Sequence, residues 1–347
     1  MAASGAAQDE VLLGVTTALT TLEGRESLRA AELAAEEINA RGGIRVGGQA
    51  LPVRLISIDL KDDQAPLHVT DVLKRLEGLI RNRQIHGLVV GPFRSEVLLP
   101  AMDIIAKYKV PLLETIAMTP AMEAKVLADP RYRFVFRTGL NTKYLVDVLI
   151  NTMTFLNQRL GYTRVYIMSQ DVAWARSTAA LLIRLYFSRK GWQIVGAEHF
   201  AYGTMDFSAA LKKASANGAQ VIVPIFDMPQ SGELAIQWKK MQVPAMLCGF
   251  ISPMMGPGAW KTFGGQIAGA LNVTFELGNV PSRRYPQATE FYNAYAARYG
   301  RPIESGHGPA PSYESVYVLA AAIEACGFTP ANRCSSAKIR PKRLSPA

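Results

Sequence analysis

Ser95, Thr115 and Thr119 are the residues whose setting suggests chemistry. Val89-Val90-Gly91-Pro92-Phe93-Arg94-Ser95 is an apolar run that breaks into a turn and then opens a helix. Val110-Pro111-Leu112-Leu113-Glu114-Thr115-Ile116-Ala117-Met118-Thr119-Pro120 repeats the pattern about twenty residues later. Helix N-termini carry unsatisfied N–H groups and the positive end of the macrodipole, so two of them side by side form an anion cradle. In an open parallel sheet such a cradle lies at the carboxyl ends of the strands, where ligands bind. The chemistry expected is capture of a small anion.

Motifs for bond-making chemistry are missing. There is no Gly-x-Ser-x-Gly elbow, no P-loop and no G-x-G-x-x-G after the first strand. His68, His86, His199 and His307 have no metal-ligand spacing, and Cys248, Cys326 and Cys334 are an odd set without zinc spacing. No catalytic residue, metal or cofactor is expected, although an α/β fold by itself does not exclude catalysis.

The elements around the two turns alternate. Val11 to Val15 forms a strand, a polar loop runs to Glu26, and 27–40 forms a helix with Leu28, Ala31, Ala34, Ala35 and Ile38 on one face. Gly42-Gly43 stops that helix. A strand over 51–58 ends in Asp59-Leu60-Lys61-Asp62-Asp63, followed by helix 67–82, strand 85–90, helix 95–107, strand 110–114 and strand 132–137. A second set comprises helix 142–160, strand 164–168, helix 174–190, strand 192–196, helix 207–217, strand 220–225, helix 230–240, strand 245–248 and strand 268–275. Helices 285–299 and 312–326 follow. This is the pattern of βαβ units, and predicts an α/β fold of two doubly wound parallel-sheet lobes.

At 347 residues the chain can build two cores, and its 49% hydrophobic and 19% charged content is ordinary for a globular protein. No apolar run reaches the ~18 residues needed to cross a bilayer. The net charge of +10 is concentrated: Arg333, Lys338, Arg340, Lys342 and Arg343 lie in 331–347 with no acid among them. The rest is mildly basic without aromatic-basic interleaving, so nucleic acid is not an expected partner.

The order and spacing of several segments resemble the type I periplasmic solute-binding proteins, in particular the leucine/isoleucine/valine-binding branch that feeds ABC importers. The segments are the first strand and its glycine, Ala31-Glu32-Leu33-Ala34-Ala35-Glu36-Glu37-Ile38-Asn39-Ala40-Arg41-Gly42-Gly43-Ile44, the Gly91-Pro92…Ser95 turn and Phe136-Arg137-Thr138. Asp206-Phe207-Ser208, Gly218-Ala219 and Ser312-Tyr313-Glu314-Ser315-Val316 continue the likeness, which covers about 10–327. It implies two lobes joined by a hinge, 10–137 with 275–327 and 140–272, closing on an amino acid or a related aliphatic or aromatic carboxylate. It also implies a membrane permease as partner and a monomeric receptor in the periplasm.

By the same likeness Ser95 bonds the ligand carboxylate, its alternative being a plain N-cap. The amides of Ala117 and Met118 assist it. Met118 stands where relatives carry a threonine, and Thr119 either contacts ligand or caps the next helix. Trp174 covers the ligand or is a core aromatic, Asp171 is a cap or a contact, and Arg94 lies at the rim, its alternative being to pair with an anionic ligand. Asp227 receives a ligand ammonium or is an ordinary loop residue. Gly249-Phe250-Ile251-Ser252 lacks the acid that amino-acid binders place there, which leaves Phe250, Ile251 and Met118 to make an apolar pocket and the amino group in question.

Residues 2–8 look like the small-residue region after a leader cleavage site, which favours an exported protein; the alternative is a cytoplasmic amide sensor of the same fold. After Gly327 the likeness stops. The basic stretch 328–347 reads as a disordered or aberrant tail in place of a third crossing between lobes, leaving the second lobe with an exposed sheet edge.

Overall fold

The computed structural model describes residues 10–327; the tail 328–347 with Cys334, and the N-terminal residues 1–9, lie outside them. Strands are β1 Val11–Thr17, β2 Ile44–Val46, β3 Gln49–Leu51, β4 Val53–Asp59, β5 Gly87–Val90, β6 Leu112–Glu114 and β7 Val135–Arg137. They continue with β8 Arg164–Gln170, β9 Gln193–Phe200, β10 Val221–Phe226, β11 Met246–Ile251 and β12 Leu271–Asn272. Helices are α1 Leu22–Ala40, α2 Val69–Arg83, α3 Ser95–Tyr108, α4 Ala121–Ala128, α5 Thr142–Leu160 and α6 Ala173–Leu185. After them come α7 Ser208–Ala216, α8 Gly232–Lys240, the single turn α9 Ala259–Thr262, α10 Pro286–Tyr299 and α11 Pro309–Cys326.

Two parallel five-stranded sheets form, in the orders β4-β1-β5-β6-β7 and β12-β11-β10-β8-β9. Taken from β9, the second sheet repeats the order of the first: second strand, first, third, fourth, fifth. In each, the chain reverses direction across the sheet between its first and third strands, so the switch points lie at β1/β5 and at β8/β10. Each sheet is covered by apolar layers on both faces. One layer on the first sheet joins α1 and α11 through Ala31, Ala34, Val316 and Leu319, and the other joins α2 and α3 through Leu76, Ile80, Leu98 and Met102. On the second sheet α5 and α6 supply Leu149, Met153 and Leu182, while α7 and α8 supply Leu211 and Leu234 on the opposite face. This is the doubly wound, two-lobed α/β fold that the alternation of elements implies.

Several boundaries differ from expectation for identifiable reasons. α1 begins at Leu22 rather than 27, because Thr21 caps it: its hydroxyl accepts from the Gly24 N–H at 3.0 Å. The buried glutamates Glu23 and Glu26 make that first turn read as a polar loop. Residues 268–275 yield only the two-residue strand β12, since Gly264, Gly265 and Gly269 take left-handed φ of 55°, 74° and 93°. α6 stops at Leu185, where Tyr186, Phe187 and Trp192 turn inward and pack edge to face. α11 starts three residues early on Pro309 and Pro311, which need no N–H in a first turn. The edges of the second sheet are β9 and β12, with β10 central.

Candidate functional site

The loops at both switch points meet. On the first sheet, the loop after β1 carries Thr20 and leads to Glu23 in the first turn of α1, and the loop after β5 carries Arg94, with Ser95 opening α3. On the second sheet, the loop after β8 leads to Trp174 near the start of α6, and Asp227 directly follows β10. The carboxyl ends of parallel strands at a switch point form a crevice between loops that run to opposite faces. Here two such crevices face each other.

Between them lies an ion pair. One guanidinium nitrogen of Arg94 donates to both Asp227 oxygens, at 3.0 and 2.8 Å, and Arg94 is only 3% exposed. The Trp174 indole N–H donates to the same carboxylate at 2.7 Å, and Trp174 packs edge to face on Phe250. Gln170 Oε1 accepts the backbone N–H groups of Asp227 and Met228, fixing the end of β10. On the other side, the Arg94 N–H donates to Asp62 at 2.8 Å, and the guanidinium lies over the Phe93 ring and near that of Tyr202. Further ties join the lobes. Ser252 Oγ donates to Glu23, the Ala173 N–H donates to Glu96 at 2.7 Å, and the Gly258 N–H donates to Glu304 at 3.0 Å.

The sequence expectations fare unevenly. Arg94 is not at the rim, because closure of the lobes buries it on Asp227. Ser95 is not the N-cap: Arg94 holds that position, and Ser95 is the first helical residue. Its hydroxyl, 1% exposed, has no hydrogen-bond partner among the described residues. The Ala117 amide does not stand free, because Glu114 Oε1 accepts the N–H groups of Ile116 and Ala117 at 2.9 Å each. The chain's own carboxylate thus fills the turn expected to hold a ligand's. Gly91 permits this, since a Cβ there would stand 2.0 Å from Glu114 Oε2.

Thr119 Oγ1 accepts from the Ala121 N–H at 3.2 Å, as a cap would. Met118 reaches across into the α5–α6 layer of the other sheet. Ile251 packs in the α7–α8 layer, its backbone clamped by Asn272. Asp171 pairs with Arg176 on the surface.

Sequence reasoning passed over Glu23, Asp62, Asp63, Gln170, Tyr202 and Glu114. Asp62-Asp63 sits visibly at the end of a strand, which was the available signal. Asp63 Oδ2 accepts from Thr20 at 2.9 Å. Asp63 Oδ1, Asp62 Oδ1, Glu114 Oε2 and Gln170 Nε2 are buried without partners among the described residues.

Burial pushes Glu23, Glu26 and Glu114 up to about 7 and Asp62 up to about 6. An acid with a raised native pKa holds more protons folded than unfolded across that interval, so stability is present at low pH and lost as pH rises. His307, whose pKa burial lowers, works in the opposite direction below 6.5, but burial also raises Glu32, Glu276 and Glu314, which add to the four acids above. The melting temperature is therefore expected to fall by several degrees between pH 5 and 8 at constant ionic strength. A rise over that interval in scanning calorimetry would contradict this account of the buried acids.

Comparison with known proteins agrees with the architecture. The sequence model of the periplasmic binding protein family matches residues 11–338. The Leu/Ile/Val-binding protein homolog 8 of Brucella abortus is 25% identical over 298 residues, covering 82% of this chain and 68% of the relative. The isoleucine complex of the branched-chain amino acid transporter substrate-binding protein LivJ from Streptococcus pneumoniae superposes with a TM-score of 0.73 at 21% identity, over 91% of this chain and 84% of that one. The benzoate complex of an ABC transporter solute-binding protein from R. palustris gives 0.73 at 16% identity, over 93% of this chain and 83% of that one. The matched span takes in nearly all of both sheets and their helices: this chain belongs to the periplasmic binding protein family.

Proposed function

We propose that this chain is the exported, periplasmic receptor of an ABC importer, capturing an amino acid or a related small carboxylate between its lobes and presenting it to the membrane permease. The first lobe comprises 10–137 with 275–327, the second comprises 140–272, and the segments between them act as the hinge. The receptor works as a monomer, without catalysis and without nucleic acid. The observation that carries this reading is the Arg94–Asp227 pair across the two switch points, with Ser95 Oγ and Gln170 Nε2 buried and unpartnered beside it among the described residues. Isoleucine and benzoate, the ligands in complex with two of the fold relatives, set the range of sizes to try.

The test is a thermal-shift screen of branched and aromatic amino acids and their carboxylate analogues, followed by calorimetry on any that respond. A ligand at about a thousand times its dissociation constant adds about 4 kcal/mol and raises the melting temperature by several degrees. Ser95→Ala separates site from scaffold. Its hydroxyl bonds none of the described residues, so the ligand-free melting temperature is expected to stay within about 1 °C, while ligand affinity falls at least about tenfold. A destabilised free protein with unchanged affinity would make Ser95 structural.

A further inference from the structure

The cleft's anion-binding groups are already taken by the chain's own carboxylates. Arg94 is neutralised by Asp227, the Arg94 amide is held by Asp62, and the Ile116 and Ala117 amides are held by Glu114. What stays unpartnered among the described residues is mostly acceptor: Asp62 Oδ1, Asp63 Oδ1 and Glu114 Oε2, all buried. Glu23 lies within electrostatic reach of Arg94 and Asp227, and Tyr202 within reach of Asp63, Arg94, Asp227 and Glu23. The Arg94 guanidinium is thus bonded to Asp227 and lies within electrostatic reach of Asp62, Glu23 and Glu96, with the Phe93 and Tyr202 rings against it and Asp63 beside Tyr202. A carboxylate brought here would meet surplus negative charge and would have to leave Asp227 buried and unpaired to reach Arg94. An ammonium meets free acceptors and aromatic faces, the surroundings that bind cations.

We propose that the cleft reads the positive group of its ligand, so that an amine is obligatory and a carboxylate dispensable. This rests on the receptor reading above and narrows it. The ammonium docks on the free oxygens of Asp62 and Asp63, within the field of Asp227 and Glu23 and beside the Tyr202 ring, and the ligand's apolar portion extends toward Phe250 and Met118. Ser95 Oγ and Gln170 Nε2 remain to take up any additional polar group.

The experiment is titration calorimetry of the full chain with two matched sets: leucine, isoamylamine and 4-methylpentanoate; phenylalanine, phenethylamine and 3-phenylpropanoate. In at least one set, the amine is expected within about tenfold of the amino acid, and the amine-free acid at least about a hundredfold weaker. Asp227→Asn is expected to weaken the amine about a hundredfold. Because that variant also touches the lobe contact, Asp63→Asn serves as a second, with at least about a tenfold loss expected. Binding of the acids alone, or amine affinity unchanged in Asp63→Asn, overturns the proposal and leaves the receptor reading standing. Silence from all six compounds removes both.

Discussion

Asp227→Ala is expected to separate the two lobes in solution, raising the radius of gyration above the ~20 Å of a compact chain of this length. The cause is the Arg94 guanidinium, buried and, among the described residues, hydrogen-bonded to the Asp227 carboxylate alone. Removing one partner of a buried pair costs about 3–5 kcal/mol, because the remaining charge stays desolvated. Opening the cleft returns Arg94 to water at the expense of the polar ties Glu23 to Ser252, Glu96 to Ala173 and Glu304 to Gly258, and of the Phe250–His307 ring contact. Trp174 loses its indole acceptor in the same step, so its emission should shift to longer wavelength as scattering reports the expansion. Scattering identical to that of the unsubstituted protein would mean that the pair does not hold the lobes together.

The second large effect concerns Gly249. β10 carries Pro224 in a central position, where proline is normally excluded because it cannot donate to the neighbouring strand. The ladder between β10 and β11 accordingly pairs Val221 and Ile222 with Met246 and Leu247, then resumes at Ile225 with Phe250. Gly249 fills the interruption. A Cβ there would stand 2.3 Å from the Pro224 carbonyl oxygen and 2.7 Å from its Cδ. Neither atom can swing aside, so Gly249→Ala must push β10 and β11 away from each other, and a loss of about 3 kcal/mol is expected. That corresponds to roughly 6–12 °C in melting temperature. Gly78→Ala is the control: its Cβ would meet nothing within 4 Å, and α2 should gain about 0.5–1 kcal/mol. Equal behaviour of the two variants would remove the steric argument.

The fold was legible because its signals are local. The alternation of apolar runs with 3.6-periodic helices, punctuated by Gly42-Gly43 and Gly161, needs no knowledge of what packs on what. Errors arose where a local pattern has a non-local cause. Glu23 and Glu26 look like loop residues, yet they are buried because Ser252, Glu304 and Ser305 reach them from more than two hundred residues away. The site was legible in its position but not in its electrostatics. Ser95, Trp174 and Asp227 all lie at the switch points. That Asp227 would be consumed by Arg94, and the Ile116–Ala117 turn by Glu114, depends on lobe closure and on the space left by Gly91. Neither leaves a periodicity or a motif.

The repeated strand order has a consequence for how the molecule comes apart. Each sheet carries two apolar layers of its own, whereas the ties between the halves described above are hydrogen bonds and, among the described residues, one ion pair, with Met118, Phe275 and His307 making the apolar and ring contacts. Each half is thus a cooperative unit by itself, and the coupling between the two melting events is set by a few polar groups that pH and ligand can change. Calorimetric cooperativity, one heat-absorption peak or two, then reports directly on the state of the cleft: conditions that tighten it merge the transitions, and conditions that release it let the halves unfold in turn.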